Sequence, residues 1–153
     1  MSMTLEQRVQ QQEDILAISE LKANDCNAAD GGWDRPTHDY DTVASLFVED
    51  GVWDGGKDLR GEGQVGIRAL FKSFKAWPFA FHRITNPVVK VDGDTATGEW
   101  HVQVGITFDN KKSVWLGGIY NDQFVRTADG WKFQELKVTF AFRSKNTEGF
   151  RVG

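Results

Sequence analysis

The sequence predicts an α+β domain in which three N-terminal helices cover one face of a curved antiparallel sheet and enclose a conical pocket. Two observations carry that expectation. Apolar residues recur at helical spacing as far as Phe74, and from Trp77 onward the spacing becomes the two-residue period of strands. Turn signals at Asp92-Gly93, Asp109-Asn110 and Asp129-Gly130 then divide the second half into the four long strands of a meander. One domain is expected over residues 1–153, with the helical part at about 4–75, the meander at about 77–145 and a short C-terminal tail. A chain of 153 residues buries roughly 70% of the surface its unfolded form exposes, so a sizeable core is available.

The first helix is expected from Leu5 to about Asp30, where Val9, Leu16, Ala23 and Asp30 recur every seven residues and a carboxylate continues the stripe. Gln7, Gln11, Asp14 and Asp25 fall on the opposite side, as for solvent, and Gly31-Gly32 ends the helix. A second, short helix is indicated by Tyr40, Val43, Leu46 and Phe47, with Thr37 or Asp39 as its cap, and is broken by Asp50-Gly51. Short extended pieces around Val52-Trp53 and Asp58-Arg60 flank Gly55-Gly56 as a hairpin. A third helix starts near Gly63, with Ile67, Leu70, Phe71 and Phe74 on one face.

In the meander the even-numbered positions are expected to face the core: Trp100, Val102, Val104 and Ile106, then Val114, Leu116, Tyr120 and Phe124, then Leu136, Val138, Phe140 and Phe142. The odd positions form a polar outer face interrupted by Trp115 and Ile119. With Phe81 they suggest a homo-oligomer, dimer or trimer, through the outer sheet face. On the first long strand Ala80, His82, Ile84 and Val88 form the even set.

The net charge of -4, without any run rich in Lys or Arg, excludes a nucleic-acid footprint, and no stretch of about 18 apolar residues indicates a membrane span. The polar start, Met1 to Gln12, and the single Cys26 give a cytoplasmic expectation. Gly61-Glu62-Gly63 lacks the third glycine of a dinucleotide loop, and the cluster Asp39, Asp41, Glu49, Asp50, Asp54 lacks the spacing of a calcium loop. His38, His82 and His101 lie too far apart for a local metal motif, so neither metal nor cofactor is expected.

Asp30 and His82 both interrupt faces that are otherwise apolar, which flags them for function. A histidine takes a proton near neutral pH, and a carboxylate on its far nitrogen fixes the tautomer and stabilises the imidazolium. That division of labour suits abstraction of a carbon-bound proton. A structural histidine satisfied by backbone, and a turn-forming aspartate before two glycines, are the alternatives from sequence alone.

Several short motifs in fixed order carry a family resemblance. They are Ala17-Ile18-(x)2-Leu21 leading to Ala29-Asp30, Gly63-(x)2-Gly66-Ile67, His82-(x)3-Asn86, Leu116-Gly117-Gly118-Ile119-Tyr120 ending in Phe124-(x)-Arg126, and Asp129-Gly130-Trp131-Lys132-Phe133. Over nearly the whole chain they resemble the SnoaL-like branch of the nuclear-transport-factor-type superfamily, of cystatin-like fold. The similarity is greatest to the subgroup holding hexachlorocyclohexane dehydrochlorinase, scytalone dehydratase and bile-acid 7α-dehydratase. The resemblance implies an Asp30–His82 dyad with His82 as base, and a dehydratase-like, cofactor-independent lyase acting on a cyclic, apolar or aromatic small molecule. Asp25 and Leu136 stand where the dehydrochlorinase carries a substrate-contacting lysine and arginine, so chloride is not the expected leaving group.

Inner-face parity and the resemblance together nominate Trp53, Trp77, Ala80, Trp100, Val102, Leu116, Tyr120, Leu136 and Phe140 as pocket lining, with Asp25 and Asn86 as polar helpers. Each apolar residue among them also serves as ordinary core. Two rival readings share the fold: an isomerase of the ketosteroid-isomerase kind, and a non-catalytic ligand binder or accessory subunit like the β-subunit of ring-hydroxylating dioxygenases.

Overall fold

The computed structural model describes residues 2–152. Helix α1 spans Leu5–Ala29 and opens on a capping box, in which the Thr4 hydroxyl accepts from the Gln7 N–H and the Gln7 side chain accepts from the Thr4 N–H. Helix α2 (Tyr40–Ser45) is capped by Asp39, whose carboxylate accepts from the Thr42 N–H. Strands β1 (Phe47–Asp54) and β2 (Arg60–Glu62) form the expected hairpin, and helix α3 (Gly63–Phe74) buries Ile67, Phe71 and Phe74. Four long strands follow: β3 (Phe79–Asp92), β4 (Thr95–Thr107), β5 (Ser113–Thr127) and β6 (Gly130–Asn146).

The sheet has six strands, not four. Its order is β2-β1-β6-β5-β4-β3, and β1 joins the edge of the meander by pairing parallel to β6. The sheet curls without closing, and the helices cover its concave face. Phe47 begins β1 instead of extending α2, because its ring is fully buried and stacks on Phe133 at 5.0 Å. Among the described residues no helix is long and apolar enough to cross a membrane.

Local insertions invert the pleat in β3 and at two places in β6, one of them Gln134, before which Trp131 and Phe133 are buried and after which Leu136 and Val138 are. In β3 three residue steps from Thr85 to Val88 oppose two on β4, and the extra residue falls at Asn86-Pro87, where Asn86 has φ 54 and Pro87 has no N–H to pair. Ala80, His82 and Ile84 therefore face inward, but after the bulge Val89 and Val91 pack on the core while Val88 is 50% exposed. The other extra residue in β6 is Ala141, so Phe142 leaves the inner set and lies against Gly117. The even-inward rule holds only between bulges.

The apolar stripe expected along α1 does not face the core. Leu16 is 64% exposed, whereas the buried face is Asp14, Ile18, Leu21, Lys22, Asp25, Cys26 and Ala29. A pattern that counts only apolar residues selects the wrong face when the buried one carries three charges that find partners inside.

Asp14 is one of them. The Arg126 guanidinium holds it through two hydrogen bonds of 2.7 and 2.8 Å, and the Trp131 indole donates a third at 3.1 Å. The Arg126 pairing, with smaller help from Trp131 and Gln10, outweighs burial and lowers the Asp14 carboxyl to about 2. A carboxyl depressed in the folded state stabilises above its unfolded pKa of about 3.9 and loses that contribution as pH falls through the folded value. Asp14 is therefore expected to contribute on the order of 1–2 kcal/mol above pH 5, discounted for the partly exposed Arg126, and almost nothing near pH 2. Denaturant titrations of the wild type and Asp14→Asn across this range test it. A gap between the two that does not narrow on acidification would assign the effect to packing.

Candidate active site

The end of α1 is placed on the sheet by its own backbone. Asp30 is the C-cap, extended at φ -78 and ψ 151, and its N–H donates to the Cys26 carbonyl at 3.0 Å. Gly31 then pairs with Ala80 of β3 through two backbone hydrogen bonds, 3.0 and 3.1 Å. A Cβ at Gly31 would lie 2.6 Å from the Pro36 carbonyl oxygen, so only glycine makes this approach. His82 lies two residues beyond Ala80 on the same face. Both carboxylate oxygens of Asp30 accept its N–H, at 2.9 and 3.0 Å, and Oδ1 lies 2.5 Å from its Nδ1. The pair is nearly sealed, with 7% and 13% of the two side chains exposed. With Nδ1 committed to Asp30, Nε2 is the nitrogen left to act as base or ligand.

His82 faces a cavity of about 260 Å³ between the sheet and the helices. At roughly 30 Å³ per water molecule it holds the equivalent of about nine waters, the scale of a molecule with one or two rings. Its wall is mostly aromatic and aliphatic, with few polar groups. Of the residues nominated from sequence, Trp53, Trp77, Leu116, Tyr120, Phe140, Asp25 and His82 stand in this wall. Asp30 stands behind His82. Ala80, Trp100, Val102 and Leu136 lie in packed core and do not line the cavity; parity fixes the face on which a strand residue stands but not its depth in the cone. Asn86 is exposed at the β3 bulge and pairs with Nδ1 of His101 at 3.2 Å, away from the cavity.

Behind Asp25 lies a cation fully enclosed by protein. The Lys22 ammonium is 3.0 Å from Asp122 and 3.6 Å from Asp25, and rests 3.2 Å from the centroid of the Tyr120 ring. Burial alone would lower the Lys22 pKa, but the two carboxylates, Asp122 first, outweigh it and raise it. Burial pushes Asp122 up to about 6 and Asp25 upward as well, with Lys22 offsetting part of each rise. Burial also raises the Tyr120 phenol and the Cys26 thiol. One ammonium serves two carboxyls, and the nearer is Asp122. Asp25, the more distant, is the one in the cavity wall.

Three residues near the site escape the sequence patterns. Lys22 sits one position from Leu21 in a polar helix, and nothing local distinguishes it from a surface lysine. His38 stands in the cavity wall at φ 56, and burial, reinforced by His82, lowers it to about 3 and keeps it neutral. Arg143 reaches the cavity rim with its guanidinium 5.4 Å from the Phe108 ring centroid. His38 alone offered a signal, as a histidine directly before a helix cap. Among the described residues no group of three His, Cys, Asp or Glu side chains is placed to hold a metal ion.

This architecture recurs in known proteins. Residues 10–137 match the SnoaL-like domain family. An uncharacterized protein of Mycobacterium tuberculosis is 30% identical over 114 residues, covering 68% of this chain and 74% of that protein. Among solved structures, a candidate aromatic ring hydroxylase from Novosphingobium aromaticivorans is 30% identical, with a TM-score of 0.78 over 89% of this chain and 95% of that one. The fold alone is shared with a hexachlorocyclohexane dehydrochlorinase from Novosphingobium barchaimii, at TM-score 0.81, 18% identity and coverage of 95% and 99%. It is likewise shared with a candidate scytalone dehydratase from Novosphingobium aromaticivorans, at TM-score 0.76, 18% identity and coverage of 93% and 92%. On the strength of the match across residues 10–137, the chain belongs to the SnoaL-like domain family.

Proposed function

We propose that the protein is a cofactor-independent lyase that removes water from a cyclic, largely apolar small molecule, with His82 as base and Asp30 as its orienting partner. The observation that supports this most is the 2.5 Å contact between His82 Nδ1 and Asp30 Oδ1 at the wall of an aromatic cavity. His82 Nε2 takes the proton from carbon beside a carbonyl, a carbon–carbon double bond forms, and the β-hydroxyl departs as water after receiving a proton. Asp25, whose carboxyl burial pushes upward, supplies that proton from the wall; Tyr120 is the second donor within the same wall. The shared fold of dehydrochlorinases and a candidate scytalone dehydratase is consistent with elimination.

The test is the conversion of the β-hydroxy derivative of α-tetralone to α-naphthol, followed by absorbance. A positioned base contributes roughly 10²–10⁴-fold, so His82→Ala is expected to lose turnover on that scale while circular dichroism stays unchanged. A loss of only a few-fold would remove His82 from the mechanism.

The 30% identity to a candidate aromatic ring hydroxylase favours one second reading, in which the same cavity serves an accessory subunit of ring oxidation. Copurification with a larger iron–sulfur protein, together with no turnover by the isolated chain, would select it.

A further inference from the structure

The proposed elimination uses His82, Asp30, Asp25 and Tyr120, and leaves His38 in the cavity wall without a task. His38 is 4% exposed and its Nδ1, sealed from solvent, has no hydrogen-bond partner among the described residues. Phe71, Phe74 and Trp77 enclose the ring, with centroids 5.9, 5.6 and 5.4 Å away. A buried imidazole left unsatisfied is destabilising, and native interiors seldom retain one.

The backbone is also held against its preference. His38 lies in the left-handed region at φ 56, which a non-glycine residue holds only when the surroundings over-determine it. Three contacts do so: the His38 N–H donates to the Ala29 carbonyl at 3.1 Å, the Asp39 N–H to Ala28 at 2.8 Å, and the Thr37 hydroxyl to the Trp77 carbonyl at 2.6 Å. Ala28 and Ala29 immediately precede Asp30. The segment that sets the dyad's carboxylate therefore also fixes the position of His38.

We propose that His38 is a ligand-binding residue, which donates one hydrogen bond from its cavity-facing edge to an uncharged oxygen, a ring carbonyl, on the molecule whose C–H faces His82. A buried N–H without a partner is costlier than a buried lone pair, so the tautomer that fits leaves Nδ1 unprotonated and carries its proton on Nε2. The neutral state of His38 matches that role, since a neutral imidazole N–H donates to an uncharged carbonyl oxygen and brings no unpaired charge into the buried wall. The ligand class is thus a cyclic ketone, with the oxygen toward His38 and the ring between Phe74, Trp77 and Phe140.

This rests on the cavity being the ligand site of the proposed lyase, and it is tested with molecules that have no leaving group. α-Tetralone and tetralin share one bicyclic frame and differ by the carbonyl oxygen. The wild type is expected to bind α-tetralone about tenfold more tightly than tetralin, by calorimetry, the factor that one net hydrogen bond supplies. In His38→Phe the ratio is expected to fall to about one through weaker α-tetralone binding, with tetralin bound at least as tightly as before. A ratio unchanged in His38→Phe, no preference in the wild type, or no binding of either molecule would overturn the assignment.

If His38→Phe does not fold, wild-type NMR decides, because the chain has only three histidines. Imidazole nitrogen resonances of His38 that move with α-tetralone and not with tetralin support the bond; equal or absent shifts refute it. Elimination can fail while this preference stands, and the preference can fail while His82 still supports turnover.

Discussion

Asp30→Asn is expected to depress turnover about as far as loss of His82 itself, by roughly 10²–10⁴-fold, although the two side chains have nearly the same shape. The reason is a conflict of donors. Asp30 accepts twice from the same residue: its oxygens take the His82 backbone N–H at 2.9 and 3.0 Å, and Oδ1 also faces Nδ1 at 2.5 Å. An asparagine brings one oxygen and one NH2 group to that position. If the oxygen serves the backbone N–H, the NH2 group confronts Nδ1 and is satisfied only when Nδ1 is a lone pair. The proton then resides on Nε2, and the base no longer has an electron pair to offer the substrate. The expected signature is a fall in kcat with little change in KM, since the cavity walls stay in place. The ring-nitrogen spectrum of His82 should show the tautomer exchanged. Wild-type turnover in Asp30→Asn would make Asp30 a structural cap only.

Lys22→Met is expected to destabilise the fold by about 3–5 kcal/mol, the range seen when one partner of a buried ion pair is removed. Lys22 and Asp122 are both sealed, so no water compensates Asp122, and Asp25, 4% exposed, meets water only through the cavity. Their remaining course is to take up protons, which lowers the fold's stability as pH rises. The sign is the opposite of that for Asp14. Lys22→Met combined with Asp122→Leu is expected to recover part of the loss, because it leaves one unpaired carboxyl, Asp25, in place of two. Denaturant midpoints at pH 5 and pH 8 measure both effects. If the single variant were as stable as the wild type at pH 8, the triad would contribute nothing to the fold.

The sequence made the fold legible through its meander, where alternation and turn residues agree and where Trp100, Val102, Val104 and Ile106 are all buried as read. Parity failed after Asn86-Pro87, at Gln134 and at Ala141, because a bulge is a local event that inverts every later position. β1 was hidden for another reason: Phe47 continues the spacing of α2, and its parallel pairing with β6 spans some eighty residues of chain that no local pattern connects. Asp30 and His82 were visible as anomalies on apolar faces. His38 showed only as a histidine directly before a helix cap, and Lys22 and Arg143 were not visible, since a charged residue reads as a solvated one until its partners are in place. Asp25 was assigned to solvent on the same ground.

The tail beyond β6 has a bearing on assembly. Phe150 folds back over the outer face of the sheet, stacking on Phe79 at 5.0 Å, meeting Trp115 edge-on at 5.0 Å, and filling the space that a side chain at Gly105 would need. Part of the surface with which another copy would associate is thus already occupied by the chain's own terminus. A tethered group competes at an effective concentration in the millimolar range, so a neighbour at micromolar concentration must cover appreciably more area than Phe150 does in order to replace it. Any self-association through that face would have to displace Phe150 or use the open parts around Phe81 and Phe142, 41% and 50% exposed and beyond these Phe150 contacts.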